Sequence, residues 1–332
     1  MSSWHRSDER TCHSLDGRAV RYIIDCDPGH DDAVAILLAT SALDISGITT
    51  VYGNASVERT TRNALDFLDL AGLSIPVYRG SEAPLRRPRT HANVHGRSGL
   101  DGAELPISRR QPEATGAIDF IVQQASSHPG AVSIIATGPL TNLARALAQH
   151  PHIEPAIASL SIMGGTPAQG NTTPVAEFNA YNDPEALDTL LASSIPMYIV
   201  GYDLTSRTGL TDHHIARLES SGRRTATFIG AVMRFYKERQ MAATGLEIAP
   251  QHDACAVLPY LTPQLARYTE CRASVELVGS LTTGMVVFDR RPPQMQRSRP
   301  APFSDRRPVR LCAMLSTAEV IETIMAAILA YP

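Results

Sequence analysis

Short apolar runs rich in β-branched residues alternate along this chain with longer segments of helical periodicity. The runs that predict strands span residues 22–24, 45–51, 132–136, 160–163 and 197–200. The segments that predict helices span residues 32–40, 57–70, 114–126, 141–149, 184–192 and 224–241, and a further helix is expected to begin near Asp253. This alternation is typical of a parallel sheet wound by helices.

The C-terminal third has a different pattern. Residues 273–278 and 285–288 predict an antiparallel hairpin, which is followed by a strand over 309–311 and a helix from Thr317. We therefore expect an α/β fold with an open, mostly parallel, Rossmann-like sheet and a small C-terminal antiparallel hairpin. Residues 20–332 are expected to form one domain, preceded by a mobile extension over residues 1–19.

Two long connections interrupt the alternation, over residues 81–112 and 164–182. Loops of that length in a compact domain are usually functional or disordered. Both connections are rich in polar side chains, so we expect them to contribute to a site.

The composition narrows the class of ligand. The chain has 332 residues, of which 43% are hydrophobic and 19% charged, and this is the range of soluble globular proteins. A net charge of -3 and a pI near 6.4 give no electrostatic signature of nucleic-acid binding. No run reaches the roughly 18 apolar residues that a membrane helix needs, and the polar N-terminus predicts neither a signal peptide nor an anchor. A small-molecule ligand is expected.

The cysteines bear on location. The five are widely spaced and form no C-x-x-C pair, which predicts a reducing, cytoplasmic environment and no zinc site.

The most informative segment is RYIIDCDPGHDDAVAILLAT, over residues 21–40. It places four carboxylates around a proline-glycine turn, between a predicted strand and a predicted helix: Asp25, Asp27, Asp31 and Asp32. Carboxylates a few ångströms apart repel one another unless a cation or protons offset their charge, and a hard cation is the simplest occupant. The carboxyl end of a strand is also where open α/β sheets hold their ligands.

Other polar clusters follow later strands or lie in the long connections. They are GN at 53–54, HANVHGRSGLDG around His95, ATGPLTN around Thr137, GNTTPVAEFNAYNDPEA over 170–186 and QHDACAV around His252. Positions at strand ends and in the loops above them let these clusters converge on one cavity mouth.

Several of these residues also have a purely structural interpretation. A lone D-x-D after a strand is often a turn with Asx caps, although the full D-x-D-P-G-x-D-D favours function. Asp183 is expected to cap the helix that begins with Pro184 and to lie outside the site. Asp25 is expected to support the site from behind. The two remaining candidates, His213 and His214, are expected to be structural.

In their order along the chain, these motifs resemble the inosine-uridine nucleoside hydrolase family over residues 21 to about 330. The resemblance implies a Ca²⁺ ion bound by Asp27, Asp32, the backbone carbonyl of Thr137 and Asp253. Oxygen-only ligation is what calcium prefers, and the open positions would take water and the ribose 2′- and 3′-hydroxyls.

The implied reaction is hydrolysis of the N-glycosidic bond of a ribonucleoside, which builds oxocarbenium-like charge on the ribose and requires a proton for the leaving base. The resemblance makes Asp27 the general base. Contacts to the ribose and its hydroxyls are implied for a further set: Asp31, Asn54, Asn171, Glu177, Asn179 and Asp253. In this set, Asn54 would also order the water and calcium shell.

The departing base requires a proton donor and residues that contact it. By resemblance His252 is the general acid, and His95 is a second histidine in a mobile loop that covers the base. Tyr236 and Gln240, one helical turn apart, are candidates for base contacts or simply residues that face the core or solvent. Purine and pyrimidine bases both remain open.

The resemblance further implies a homodimer or a homotetramer. One departure from the family pattern is Thr283, which stands where the family commonly has an arginine.

Two alternatives differ in class. A phosphatase of the haloacid dehalogenase type also has a D-x-D after its first strand, but it needs a lysine to offset an aspartyl-phosphate. The only lysine, Lys237, lies in a predicted helix without that context. The other alternative is a catalytically silent riboside-binding protein, against which the retention of Asp27, Asp32, Asn179, His252 and Asp253 argues.

Overall fold

The computed structural model describes residues 20–90 and 94–332, so the extension predicted over residues 1–19 lies outside the described residues. The strands in chain order are β1 Arg21–Cys26, β2 Ile45–Thr50, β3 Val77–Arg79, β4 Val132–Ala136, β5 Ile157–Met163, β6 Met197–Val200, β7 Gly209–Leu210, β8 Ala249–Pro250, β9 Ala266–Val275, β10 Val286–Asp289 and β11 Val309–Leu315. Nine of them form one sheet in the order β10-β9-β11-β6-β5-β4-β1-β2-β3, and β7 pairs with β8 separately.

Helices connect and cover these strands. In chain order they are α1 His30–Thr40, α2 Val57–Ala71, α3 Ala117–Ser127, α4 Thr141–Gln149, α5 Phe178–Asn182, α6 Pro184–Leu191, α7 Tyr202–Thr205, α8 Asp212–Glu219, α9 Arg224–Thr244, α10 Ala254–Leu261, α11 Pro293–Ser298 and α12 Thr317–Ile328. No helix in the described part of the chain is long and apolar enough to cross a bilayer.

The sheet is parallel from β11 to β3, and β9 and β10 extend it as an antiparallel edge. From β1 the chain moves outward to β2 and β3 on one side, and then returns to β4, β5 and β6 on the other. The sheet order therefore reverses between β1 and β4. Such a reversal opens a crevice at the carboxyl ends of the two strands, where ligands of α/β proteins bind.

The first strand and helix are buried on all sides. Tyr22, Ile24 and Cys26 face one apolar cluster, whereas Ile23 between them packs into the other. Helix α1 is buried from His30 through Ala39, which explains why it lacks a polar face. The carboxylates at the end of β1 and in the first turn of α1 are consequently held inside the protein.

The fold class predicted from the sequence is confirmed, but several boundaries differ. Strand β9 begins at Ala266 and ends at Val275, earlier than the predicted 273–278, because its first half pairs antiparallel with β11. Helix α1 begins at His30 rather than at Asp32, since Gly29 is its N-cap.

Short elements were missed by the sequence analysis. They are β3, α5, α7, β7, α8, β8 and α11, of which α5 lies in the connection predicted over 164–182. The predicted cap at Asp183 is confirmed, because its carboxylate accepts a hydrogen bond of 3.0 Å from the amide of Ala186.

Candidate active site

A cavity of about 420 Å³ opens above the carboxyl ends of the parallel strands. Residues that follow β1, β2, β4 and β6 line it, together with residues from the two long connections and from α9. Every site residue predicted from the sequence lines this cavity except Asp32, which is fully buried. The lining residues from that set are Asp27, Asp31, Asn54, His95, Thr137, Asn171, Glu177, Asn179, Tyr236, Gln240, His252 and Asp253.

Asp27 is held in a fixed position at the end of β1. The amide of Asn54 donates a hydrogen bond of 2.6 Å to its Oδ2. A Cβ atom on Gly53 would lie 2.0 Å from that oxygen, and one on Gly138 would lie 2.7 Å from Oδ1. The two glycines are therefore required for the backbone to approach the carboxylate this closely.

The first turn of α1 supplies the next two carboxylates. Asp31, Asp32 and Asp253 are all buried, and each offers an oxygen that lies within 4.8 Å of the others. Asp32 accepts hydrogen bonds from the amide of Gly29 at 2.9 Å and from the hydroxyl of Thr137 at 2.7 Å. Segments that are more than 200 residues apart in sequence thus meet at one acidic cluster.

Helix α5 fixes two polar groups beside this cluster. Glu177 is its N-cap and accepts hydrogen bonds from the amides of Asn179, Ala180 and Gly165 at 2.9, 3.1 and 2.9 Å. The side-chain amide of Asn179 donates to the Thr137 carbonyl at 2.7 Å. A carbonyl oxygen has two lone pairs, so this atom can still accept a second partner.

The electrostatics of the acidic cluster are unbalanced. Burial raises the pKa of Asp27, Asp31 and Asp253, and the negative charge of neighbouring carboxylates raises each pKa further. Burial also raises the pKa of Asp32, against the opposing effect of its hydrogen bonds. No arginine or lysine of the described chain lines the cavity. Buried carboxylates, a carbonyl oxygen and no basic side chain are a donor set that suits a divalent metal ion.

Another part of the cavity wall is built from rings. Nδ1 of His252 lies 2.8 Å from the hydroxyl of Thr205, and the ring stacks on Tyr202 with centroids 5.4 Å apart. Burial lowers the pKa of His252 to about 4. The ring is therefore neutral when the cavity is empty at neutral pH.

Tyr236 and Gln240 line the same cavity from α9. The amide of Gln240 donates to the Tyr236 hydroxyl at 2.9 Å, and the Tyr236 ring stacks on His95 with centroids 5.1 Å apart. Nδ1 of His95 is 3.0 Å from Nδ1 of His30. Burial lowers the pKa of His95 well below its usual value, and the neighbouring His30 lowers it further.

Three residues of this ring cluster were not predicted from the sequence: His30, Tyr202 and Thr205. His30 occupies the variable position of the acidic motif, and the other two follow β6 in the segment YDLT. A polar segment directly after a parallel strand was the available signal, because it must lie at the same edge of the sheet as the other motifs.

Other residues behave as the structural interpretations expected. Asp25 is buried behind the cavity and accepts hydrogen bonds from Thr49 and Asn142 at 2.5 and 2.8 Å. His214 caps α8, with Nδ1 2.9 Å from the Thr211 hydroxyl. Lys237 pairs with Asp212 at 2.7 Å and does not line the cavity, so the lysine that phosphatase chemistry needs is missing from it.

A comparison with known families decides what this arrangement is. The model of the family described as inosine-uridine preferring nucleoside hydrolase matches residues 22–318. The chain belongs to this family. It is therefore an enzyme of the nucleoside hydrolase class, which acts on ribonucleosides.

Individual nucleoside hydrolases are similar to this chain in sequence and in structure. The pyrimidine-specific ribonucleoside hydrolase RihA of Photobacterium profundum is 40% identical over 273 residues, which cover 81% of this chain and 88% of the relative. A plant nucleoside hydrolase superposes with a TM-score of 0.89 at 30% identity and covers 94% of this chain and 99% of its own. A purine-preferring ribonucleoside hydrolase from Gardnerella vaginalis gives a TM-score of 0.85 at 27% identity, with 93% and 98% covered.

Proposed function

We propose that this nucleoside hydrolase uses a bound Ca²⁺ ion, an aspartate general base and a histidine general acid to release a base from a ribonucleoside. One observation carries the proposal. A single cavity is lined by the buried carboxylates of Asp27, Asp31 and Asp253 and by the buried rings of His95 and His252, with no arginine or lysine among its described lining.

The proposed ligands of the ion are Asp27, Asp32, Asp253 and the carbonyl of Thr137. Asp31 offers a further oxygen to the same cluster. These are hard oxygen donors of the kind that calcium takes in irregular geometries. When bound, the ion supplies the charge that lowers the pKa of a water molecule and orients the ribose diol.

Asp27 takes the proton of the attacking water in this proposal. Its Oδ2 is fixed by the amide of Asn54, and the side-chain amide of Asn54 also donates to the Asp27 carbonyl at 3.1 Å. A base that is fixed on both sides needs little reorganisation when it accepts the proton.

The ribose hydroxyls are proposed to bind between the acidic cluster and α5. The residues that would hold them are Asp31, Asn171, Glu177, Asn179 and Asp253. A 2′-deoxyribose would leave buried polar groups without partners, at a cost of roughly 1 to 3 kcal/mol for each unpaired group. The enzyme is thus expected to discriminate against deoxyribonucleosides.

His252 is proposed to transfer a proton to the departing base. Burial keeps the ring neutral, but negative charge that develops on the leaving base favours the imidazolium, so the ring takes up a proton from solvent, passes it to the base and returns to the neutral form. His95, Tyr236 and Gln240 are proposed to contact the base. Both purine-preferring and pyrimidine-specific enzymes are among the proteins that this chain resembles, so our proposal covers both classes of base.

Three further features belong to the proposal. A cytoplasmic location is supported by the free, buried thiols of Cys26, Cys255, Cys271 and Cys312. A homodimer or homotetramer is supported by exposed apolar side chains such as Val278 and Leu281. A single domain over 20–332 is supported by one sheet that takes strands from both ends of that range.

Ribose release tests the proposed mechanism. The purified enzyme is incubated with inosine, uridine and cytidine, once with added Ca²⁺ and once with a calcium-selective chelator, and free ribose is followed. We expect ribose from at least one nucleoside with Ca²⁺ and at least a hundredfold less with chelator. Equal rates in both arms would contradict the metal, and binding without ribose release would indicate a silent riboside-binding protein.

A further inference from the structure

His30 is a fully buried imidazole at the variable position of the acidic motif. Its ring stacks on Phe235 and on Tyr236, with centroids 5.8 and 5.1 Å away. Both of its nitrogens have polar partners, which a residue that only fills space would not need. The partners belong to the connection that carries His95.

The first partner determines which nitrogen of His30 carries a proton. Nε2 lies 2.7 Å from the backbone carbonyl oxygen of Asp101. A carbonyl only accepts hydrogen bonds, so Nε2 must carry the hydrogen. Burial disfavours a charged ring at this position. A neutral His30 that is protonated at Nε2 carries no hydrogen on Nδ1, so Nδ1 can only accept a hydrogen bond.

The second partner of His30 is His95, and the tautomer of His30 determines that of His95. Nδ1 of His95 lies 3.0 Å from that bare nitrogen and must therefore donate. Because His95 is also buried, a proton on its Nδ1 leaves its Nε2 as an acceptor. Within the described residues this Nε2 has no hydrogen-bond partner, and His95 lines the cavity.

We propose that His30 is a positioning residue that fixes the tautomer and orientation of His95, so that His95 accepts a hydrogen bond at the base end of the cavity. His95 is then not the proton donor to the leaving base, and that role falls to His252 alone. This inference rests on the proposed position of the base, although the tautomers can be measured independently of it.

A second anchor of the same loop provides a matched control. The side-chain amide of Asn63 donates to the carbonyls of Pro28 and Ser98 at 3.0 and 2.9 Å. Asn63 therefore ties the loop to the proline-glycine turn through backbone groups only, whereas His30 contacts both the backbone carbonyl of Asp101 and the ring of His95. Removing Asn63 loosens the loop without removing the partner of His95.

Nuclear magnetic resonance of the unsubstituted enzyme tests the tautomers directly. Long-range ¹H–¹⁵N spectra of protein labelled at histidine distinguish Nδ1–H from Nε2–H rings, and His95→Phe assigns the His95 signals. We expect His30 as the Nε2–H tautomer and His95 as the Nδ1–H tautomer at neutral pH. A His95 ring protonated at Nε2 would overturn the proposal, whatever the enzyme hydrolyses.

Kinetics of His30→Phe, His95→Phe and the double variant test the functional link. Each is compared on uridine or inosine and on p-nitrophenyl riboside, whose leaving group presents no N–H. We expect each single variant to lose at least tenfold more kcat/KM on the nucleoside than on the nitrophenyl substrate. The double variant should lose no more than His95→Phe alone.

The control separates positioning from loop integrity. Asn63→Ala should raise KM for both substrates by similar factors. Multiplicative losses in the double variant, or equal losses on both substrates for His30→Phe, would contradict the proposal. If the unsubstituted enzyme released no ribose from nucleosides, the proposed function would fail while the tautomer measurement would still decide the role of His30.

Discussion

The proposed ribose end and the proposed base end of the cavity are built in different ways. At the ribose end, carboxylates lie at strand ends or in the first turns of helices, where the backbone fixes them, as for Asp27 and Asp32. At the base end, rings from a loop and from α9 position one another, as for His95 and Tyr236. The carboxylates are thus fixed by the sheet and the helix ends, whereas the rings, where we propose that the base binds, depend on contacts between side chains.

The largest effect is expected at the rigid end. Asp27→Asn keeps the size of the side chain but removes the base and one proposed ligand, so kcat/KM should fall by at least about 10³-fold. The loss should be equal for inosine and p-nitrophenyl riboside, because both need the attacking water. Asp44→Asn, which changes an exposed carboxylate before β2, is the control and should leave both rates unaltered.

The next largest effect should depend on the leaving group, which distinguishes the proposed base end from the proposed ribose end. His252→Ala should lower kcat/KM for inosine by about 10²- to 10³-fold, since the base then departs without its proton. On p-nitrophenyl riboside the loss should stay within a few-fold, because that leaving group needs no acid. Steady-state kinetics on both substrates measure the difference, and equal losses would refute the acid assignment.

A smaller effect is expected from the backbone that surrounds Asp27. Gly53→Ala places a methyl group against the carboxylate, which must move, and a displacement of about 1 Å can cost roughly 10²-fold in rate. We expect a tenfold to hundredfold fall in kcat on both substrates. Gly72→Ala, at a helix end where a Cβ meets nothing within 4 Å, should alter stability without this loss.

The smallest effect concerns stability and pH. Burial and then the charge of Asp32 raise the pKa of Asp31 to about 8, so in the chelated enzyme Asp31 favours folding while protonated. That contribution is full below the unfolded pKa and is lost as pH rises through 8. The buried histidines, whose pKa values are lowered, lose their contribution as pH falls through about 6.5, and between pH 6.5 and 8 the raised pKa values of Asp31, Asp27 and Asp253 set the direction of the change.

Urea unfolding at pH 6.5 and 8 measures this contribution. The free energy of unfolding of the chelated enzyme should fall between the two values, by an amount on the order of 1 kcal/mol or more. Ca²⁺ should stabilise the enzyme most at pH 8, where the cluster is most fully ionised. A chelated enzyme that became more stable over this range would contradict the assigned direction.

The same contrast explains how far the sequence could be interpreted. The periodic runs predict the sheet, and the acidic motif predicts Asp27 and Asp32, because a strand followed by a helix orients its turn residues locally. Helix α5 is too short to show a periodic pattern, and β3 has only three residues, so neither was predicted.

The base end was harder to predict because its contacts join distant segments. His95 and Tyr236 were named as separate candidates, but no spacing shows that they stack. The roles of His30 and Thr205 depend on which nitrogen of an imidazole faces which oxygen. That information comes from packing between helices and loops, and a single sequence does not contain it in readable form.

The carbonyl oxygen of Thr137 lies where the proposed sites of the ion and the sugar meet. This oxygen accepts a hydrogen bond from the side-chain amide of Asn179 and is also a proposed ligand of the ion. A sugar held by Asn179 and an ion held at the oxygen would therefore be linked through this hydrogen bond. Thermodynamic reciprocity then requires that whatever factor the sugar adds to ion affinity, the ion adds to sugar affinity. Ribose can be titrated at several fixed ion concentrations and the ion at several fixed ribose concentrations. The dissociation constants of ribose and of the ion should then change by the same factor.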